Sequence, residues 1–378
     1  MSIYLDHAAT TPMIEPAIAA MERSLRKLGN PSSLHTDGRS TRKDVEEARE
    51  VLAKAVGCQP SEVIFTGSGT EANNAAIKGL FWAAPNKNVI VVSAIEHHAV
   101  LDPAHWLVEH ENAELIEIPV TSDGIIDCEF LSALVAARGN EIALISVMAA
   151  NNETGVIQPL GKVVEIAGQI PVHSDAVQSF TKVALNYSDL GLFAMTISAH
   201  KIGGPLGIGA LILRRAFEMP ALLHGGGQER EIRSGTLNAP SIVAFATAVT
   251  ENIYDAVQVQ ALREIFEEGI AKVAPDAIIN GAGAPRLPGI SNITFPGTQA
   301  DFLLLLMDGK SISCSTGAAC TAGVHRPSHV LMAMGHDEIG ATSSLRFSLG
   351  ATTTQGDIEY ALSVIPEVVA MAKAANSL

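Results

Sequence analysis

The sequence predicts an α/β protein: a mostly parallel sheet with helices on both faces, followed by a smaller α+β C-terminal domain. Three observations carry this. Short apolar runs alternate with stretches whose apolar residues recur at helical spacing. The runs are nearly continuous, as at Val89 to Ile95 and Ile142 to Met148, the pattern of strands buried on both faces. And 378 residues are enough to fill two cores.

Taken in order, Tyr4 to Pro12 reads as an extended arm that stops at a proline, and Pro16 to Arg26 as a helix. From Thr41 the positions Val45, Ala48, Leu52 and Ala55 mark a second helix, which Gly57 ends. Strands are expected at Glu62–Thr66, Val89–Ile95, Leu115–Val120, Ile142–Met148, Ile170–His173, Leu192–Ile197 and Ile208–Leu213. The last two are joined by so short a connection that one of them should run antiparallel. Ser241 to Val273 reads as one long helix. Beyond it come strands at Ile290–Phe295 and Ile312–Ser315, and helices at Gln299–Met307, Ser328–Met334 and Gly356–Ala374. The expected division is an arm (1–15) packing with the small domain, a large domain (16–257) and a small domain (258–378).

Hydrophobic residues make up 47% and charged residues 17%, which excludes a disordered chain. The longest apolar runs, such as Phe302 to Met307, are too short to cross a bilayer, and the first residues carry no signal-like core. A cytoplasmic protein is expected. A net charge of −15 argues against a direct nucleic-acid partner. The four cysteines, Cys58, Cys128, Cys314 and Cys320, form no Cys-x-x-Cys pair, and no metal-ligand set is read.

Ligands of open α/β sheets bind at the carboxyl ends of the strands, so the residues after each strand matter most. Gly67-Ser-Gly-Thr70 opens a helix whose free N–H groups suit a phosphate. His97 follows the next strand, Asn151-Asn152 a later one, then Asp175 with Gln178. Lys201 follows the strand Leu192–Ile197 and enters a glycine-rich turn. Each has an ordinary explanation by itself: a binding-free turn, a capping imidazole, an N-cap aspartate, a surface lysine. Together they supply, in order, the parts of a site for pyridoxal 5′-phosphate (PLP). There a buried amine forms the tether and an aspartate pairs with the pyridinium N–H.

The ordered motifs resemble the fold type I PLP enzymes, in particular the cysteine desulfurases of the NifS/IscS type within the class-V aminotransferases. They are Tyr4-Leu-Asp-His-Ala-Ala-Thr-Thr-Pro12, Gly29-Asn-Pro-Ser-Ser-Leu-His35, Thr66-Gly-Ser-Gly-Thr-Glu71, Asn151-Asn-Glu-Thr-Gly155 and His173-Ser-Asp-Ala-Val-Gln178. Ser198-Ala-His-Lys201, His224 to Glu229, Arg233-Ser-Gly-Thr236, Ser315 to Thr321 and Ser344 to Gly350 complete the set.

The resemblance implies a role for each site residue. Lys201 would be the cofactor lysine, Asp175 the partner of the ring nitrogen and Gln178 that of the phenolic oxygen. His97 would stack on the ring and handle protons. Gly69, Thr70, Ser198 and His200 would hold the phosphate, joined by Thr236 from the other subunit of a homodimer. Asn152 would flank ring and substrate, and Arg346 would clamp the substrate carboxylate. Cys320 would be the catalytic cysteine: it takes sulfur from L-cysteine as a persulfide, leaving L-alanine, and hands it to an acceptor protein for iron–sulfur assembly or thiolation. Any iron–sulfur contact would run through that persulfide.

Cys320 separates this reading from the nearest rivals, an aminotransferase or a selenocysteine lyase, since a transaminase has no use for it, and the complete set of matched site residues separates it from a non-enzymatic scaffold. Three positions depart from the family's usual pattern: His7, Gly203 and Val324-His325-Arg326. The last lies where sulfur delivery is expected and would alter acceptor docking. Cys314 is expected to pack in a strand.

Overall fold

The computed structural model describes residues 2–317 and 327–376. The strands are β1 (Ile3–Tyr4), β2 (Val63–Thr66), β3 (Val89–Ser93), β4 (Glu114–Ile118), β5 (Ile142–Ser146) and β6 (Val172–Asp175). They continue with β7 (Ala194–Ser198), β8 (Gly209–Leu213), β9 (Ile278–Asn280), β10 (Ile290–Thr294), β11 (Ile312–Ser313) and β12 (Ser344–Ser348). Seven of them form the main sheet in the order β2-β8-β7-β6-β5-β3-β4. All its pairings are parallel except those of β8, which runs antiparallel to both β2 and β7. This is the antiparallel member that the short β7–β8 connection foretold.

Because strand side chains alternate, each strand feeds two cores. Val63, Phe65, Val89 and Val91 face one core, shared with the helices Thr36–Val56 and Ala239–Thr250. Ile64, Ile90 and Val92 face the other, shared with the helices Gly69–Trp82 and His98–Glu111. A strand so buried is apolar at most positions, as in β2, β3, β5 and β8, which is why those runs were readable.

A third core lies around the sheet β12-β10-β9, where Phe266 and Phe347 meet with ring centroids 5.0 Å apart. The helices Ala256–Val273 and Gln355–Asn376 cover it. The single helix expected from Ser241 to Val273 is in fact two, Ala239–Thr250 and Ala256–Val273. Asp255 restarts the second by accepting from the N–H groups of Val257 and Gln258, a side-chain cap that competes with continued helix.

The N-terminal arm is sewn into this region. β1 pairs in parallel with β11, and Leu5 packs in the third core. Ser348 N–H then donates to Leu5 O (2.7 Å), and His7 N–H to Ser348 O (3.1 Å). At the edge of the main sheet, Glu229 makes a bidentate pair with Arg49 (2.7 and 2.9 Å) and accepts from Phe65 N–H (2.7 Å). Both side chains are buried, so this pair fastens the Gln228–Ser234 turn to β2.

Candidate active site

In the main sheet the chain leaves β3 for β4 on one side and returns with β5 on the other. The carboxyl ends of β3 and β5 therefore open a crevice at this switch. A cavity of about 460 Å3 lies there. It is lined by Gly69, Thr70, His97, Asn152, Asp175, Gln178, Ser198, His200, Lys201 and Arg346, ten residues that the sequence had flagged.

Lys201 ends a single helical turn after β7. Its Nζ donates to the carbonyls of Ala8 (2.6 Å) and Ala9 (2.7 Å) of the arm. Burial first, then the Arg346 charge, lowers its amine to about 8, against the opposing pull of Asp6 and Asp175. A free amine is thus within reach near neutral pH, as a tether needs. Gly203, at φ 82°, takes the left-handed turn that ends this segment and lies against Ile14.

Asp175, the last residue of β6, is buried. Its Oδ2 accepts from Asn73 Nδ2 (2.6 Å) and its Oδ1 from Val177 N–H (2.9 Å). Both donors are neutral, and among the described residues no basic side chain pairs with it. Gln178 donates through Nε2 to Ala8 O (2.8 Å) and accepts at Oε1 from Lys182 (3.4 Å). That fixes the amide with one Nε2 hydrogen still unused.

His97 caps the helix His98–Glu111: its Nδ1 accepts from Ala99 N–H (3.0 Å). Burial lowers its pKa, so the ring is neutral and carries its proton on Nε2. In this geometry it offers the cavity a donor. Before the helix Gly69–Trp82, Ser68 Oγ accepts from Glu71 N–H (3.1 Å). A side chain at Gly69 would meet Val177 and Ser198, so glycine keeps that corner open. His200 is neutral, lowered to about 4 by burial and by Lys201, with Nδ1 3.2 Å from Thr10 Oγ1.

Arg346 stands mid-β12, in the other sheet. Its Nη2 pairs with Asp6 Oδ1 (2.8 Å), its Nη1 donates to Asn152 O (2.9 Å), and its buried Nε has no protein partner. Thr236 is exposed and is not among the residues lining the cavity. Cys320 and Val324-His325-Arg326 lie outside the described residues; Ser315, Thr316, Gly317 and His329, on either side, line the cavity. Cys314 is a free, buried cysteine whose thiol burial pushes up to about 12, a poor source of thiolate.

Sequence reasoning missed Asp6, Asn73, Glu153 and His329. Asn73 was within reach, since it sits one helical turn beyond Gly69 on the same face. Asp6 and Glu153 stood inside motifs already singled out. Glu153 lines the cavity, fully buried, and accepts from Ser328 Oγ (2.6 Å). Nothing local marks His329, which reaches Glu96 O through Nε2 (2.9 Å).

Ring-sized space, a lysine amine, an unpaired buried carboxylate and a helix N-terminus on one sheet edge are the donor set that a PLP enzyme presents. The family model for class-V aminotransferases matches residues 3–361. An IscS-like cysteine desulfurase of Mycobacterium tuberculosis is 47% identical over 98% of this chain and 97% of its own length. Among solved structures, a NifS-like protein superposes with a TM-score of 0.89 at 34% identity, covering 98% of this chain and all of that one. A structure described as SspA in complex with cysteine gives 0.83 at 31%, covering 93% of this chain and all of that one. The chain belongs to the class-V aminotransferases and, within them, to the cysteine desulfurases of the IscS/NifS type.

Proposed function

We infer that this chain is a PLP-dependent cysteine desulfurase that moves sulfur from L-cysteine to Cys320. The observation that carries the reading is the convergence of Lys201, Asp175, Gln178, His97 and Arg346 on one cavity. The residues present fit the cofactor. Asp175 lacks a cationic partner that a ring N–H would supply, and Gln178 keeps an Nε2 hydrogen for a phenolic oxygen. Gly69 and Thr70 at a helix start, with Ser198 and neutral His200, suit a phosphate.

When bound, PLP supplies an electron-withdrawing ring that makes the bonds around the substrate's α-carbon labile. Lys201, lowered to about 8, holds the cofactor and takes the substrate's α-proton at Nζ. Arg346 orients the substrate through its carboxylate, and Asp6 and Asn152 O hold the guanidinium in place. His97 stacks and donates from Nε2. The Cys320 thiolate bonds to the substrate sulfur as the C–S bond breaks. That electron pair stays on carbon, which takes a proton to become the methyl of L-alanine, while Cys320 is left as a persulfide. No outside oxidant is needed.

The persulfide then passes to an acceptor for iron–sulfur assembly or thiolation, in the cytoplasm. The working unit is a homodimer in which Thr236 completes the partner's phosphate site. Leu28, Leu34 and Leu206, 84%, 83% and 72% exposed, support this as apolar surface for a partner to cover. Division into an arm (1–15), a large domain (16–257) and a small domain (258–378) belongs to the same proposal. The test is Cys320→Ser: the purified protein should keep its cofactor absorbance but form neither persulfide nor L-alanine. Turnover of L-cysteine by that variant would overturn the role of Cys320.

A further inference from the structure

A second cavity, of about 360 Å3, lies behind Lys201, which lines both. Its walls are apolar: Ile14, Ile202, Ile253 and Leu349 are among them. Nine polar side chains also line it, Glu15 and Thr352 among them on the exposed side, and four of the nine carry polar groups that the fold leaves short of partners. His7 is buried, and its Nε2 has no protein partner, while Nδ1 meets Thr11 Oγ1 at 2.6 Å. The ring is held tightly, since any side chain at Gly350 would collide with it. Thr181 Oγ1 and Tyr254 OH are likewise buried without a partner.

Thr181 bears a second cost. It is a β-branched residue at φ 62°, where glycine would sit without strain. A residue that pays in backbone strain and leaves its hydroxyl unpaired makes sense if something else uses the hydroxyl. Lys182 is the fourth. It is largely buried, makes one long hydrogen bond to Gln178, and forms no ion pair among the described residues. Its neighbouring charges, Lys201 and Arg346, are of its own sign and, with burial, lower its amine to about 7.

We propose that this second cavity binds a small aliphatic monocarboxylate, its carboxylate on Lys182, His7, Thr181 and Tyr254 and its alkyl chain between Ile14, Ile202, Ile253 and Leu349. An anion answers the unpaired cation and hydroxyls at once, and the apolar walls take a short chain but not a second charge. The site is distinct from the substrate cavity, whose anion-binding groups are Arg346 and the Gly69 helix start.

The test uses butyrate and the holoenzyme, followed by saturation-transfer NMR. Saturable binding should appear, withstand excess L-alanine, and weaken at least tenfold for n-butanol and n-butylamine. Lys182→Met should abolish it. If that variant does not fold, Ile253→Trp, which fills the cavity from its exposed mouth, decides: it should block butyrate while L-cysteine turnover continues. Binding that L-alanine displaces, that survives Ile253→Trp, or that never saturates overturns the site.

Discussion

The floor and the far wall of the substrate cavity are built on opposite plans. The floor is set by strand ends: His97, Asp175 and Lys201 each stand at or just beyond the end of their own strand, while Asp175 also binds Asn73 and Lys201 the arm carbonyls of Ala8 and Ala9. The wall is made at long range, where Arg346 meets Asp6 across 340 residues and Asn152 across 194. The arm joins the two, because Ala8 O receives both Lys201 and Gln178 while Asp6, two residues earlier, holds Arg346. The difference implies that the floor makes the chemistry possible and the wall chooses what undergoes it.

The hardest blow to this division is Lys201→Ala. The variant should lose the cofactor-lysine absorbance and fall in kcat by at least about 10³-fold, the order expected when a covalent tether and proton carrier is removed. An unchanged absorption spectrum would sink the assignment of the floor. Arg346→Lys comes next. A point charge cannot copy the planar fork, so KM for L-cysteine should rise roughly 10- to 100-fold with the cofactor spectrum unchanged. Asp6→Ala removes only the hold on that fork and should raise KM by about 3- to 10-fold, and Asp6→Asn, which keeps an acceptor, should restore most of it. If either wall variant lowers kcat and leaves KM alone, wall and floor are not separate devices.

The same contrast decides what the sequence revealed. Strands buried on both faces are mostly apolar, and their ends are punctuated by Gly67-Ser-Gly, Glu96-His97 and Asp175, so sheet and floor were legible. The break between Thr250 and Ala256 was not, because it depends on the Asp255 side chain capping the next helix rather than on apolar spacing. β12 was read only through its likeness to a family motif: Ser344-Leu-Arg-Phe-Ser348 alternates polar and apolar residues, but its polar members are buried by the arm and β10, which no local pattern announces. Asp6, Glu153 and Lys182 were missed for a like reason. Their partners are Arg346, Ser328 and the groups around Lys201, contacts that only the folded chain makes.

A smaller effect separates the two regions through their buried imidazoles. His173, in β6, is held between Ser146 Oγ (2.9 Å) and Thr196 Oγ1 (3.1 Å) and lowered by burial to about 3. His7, in the arm, is lowered by burial and by Lys182 to about 4. Both bind protons more weakly folded than unfolded, where the value is 6.5. As pH falls below 6.5 the unfolded chain takes up protons that the folded chain refuses, so stability drops; above 6.5 neither ring contributes. Each ring contributes a slope approaching about 1.4 kcal/mol per pH unit. Denaturant unfolding between about pH 6.5 and pH 5 should therefore show stability falling with acid. His7→Asn should remove the contribution of one proton and leave that of His173. If the slope is the same with and without His7, the arm yields to acid before the sheet does, and its hold on Lys201 and Arg346 is weaker than the hydrogen bonds imply.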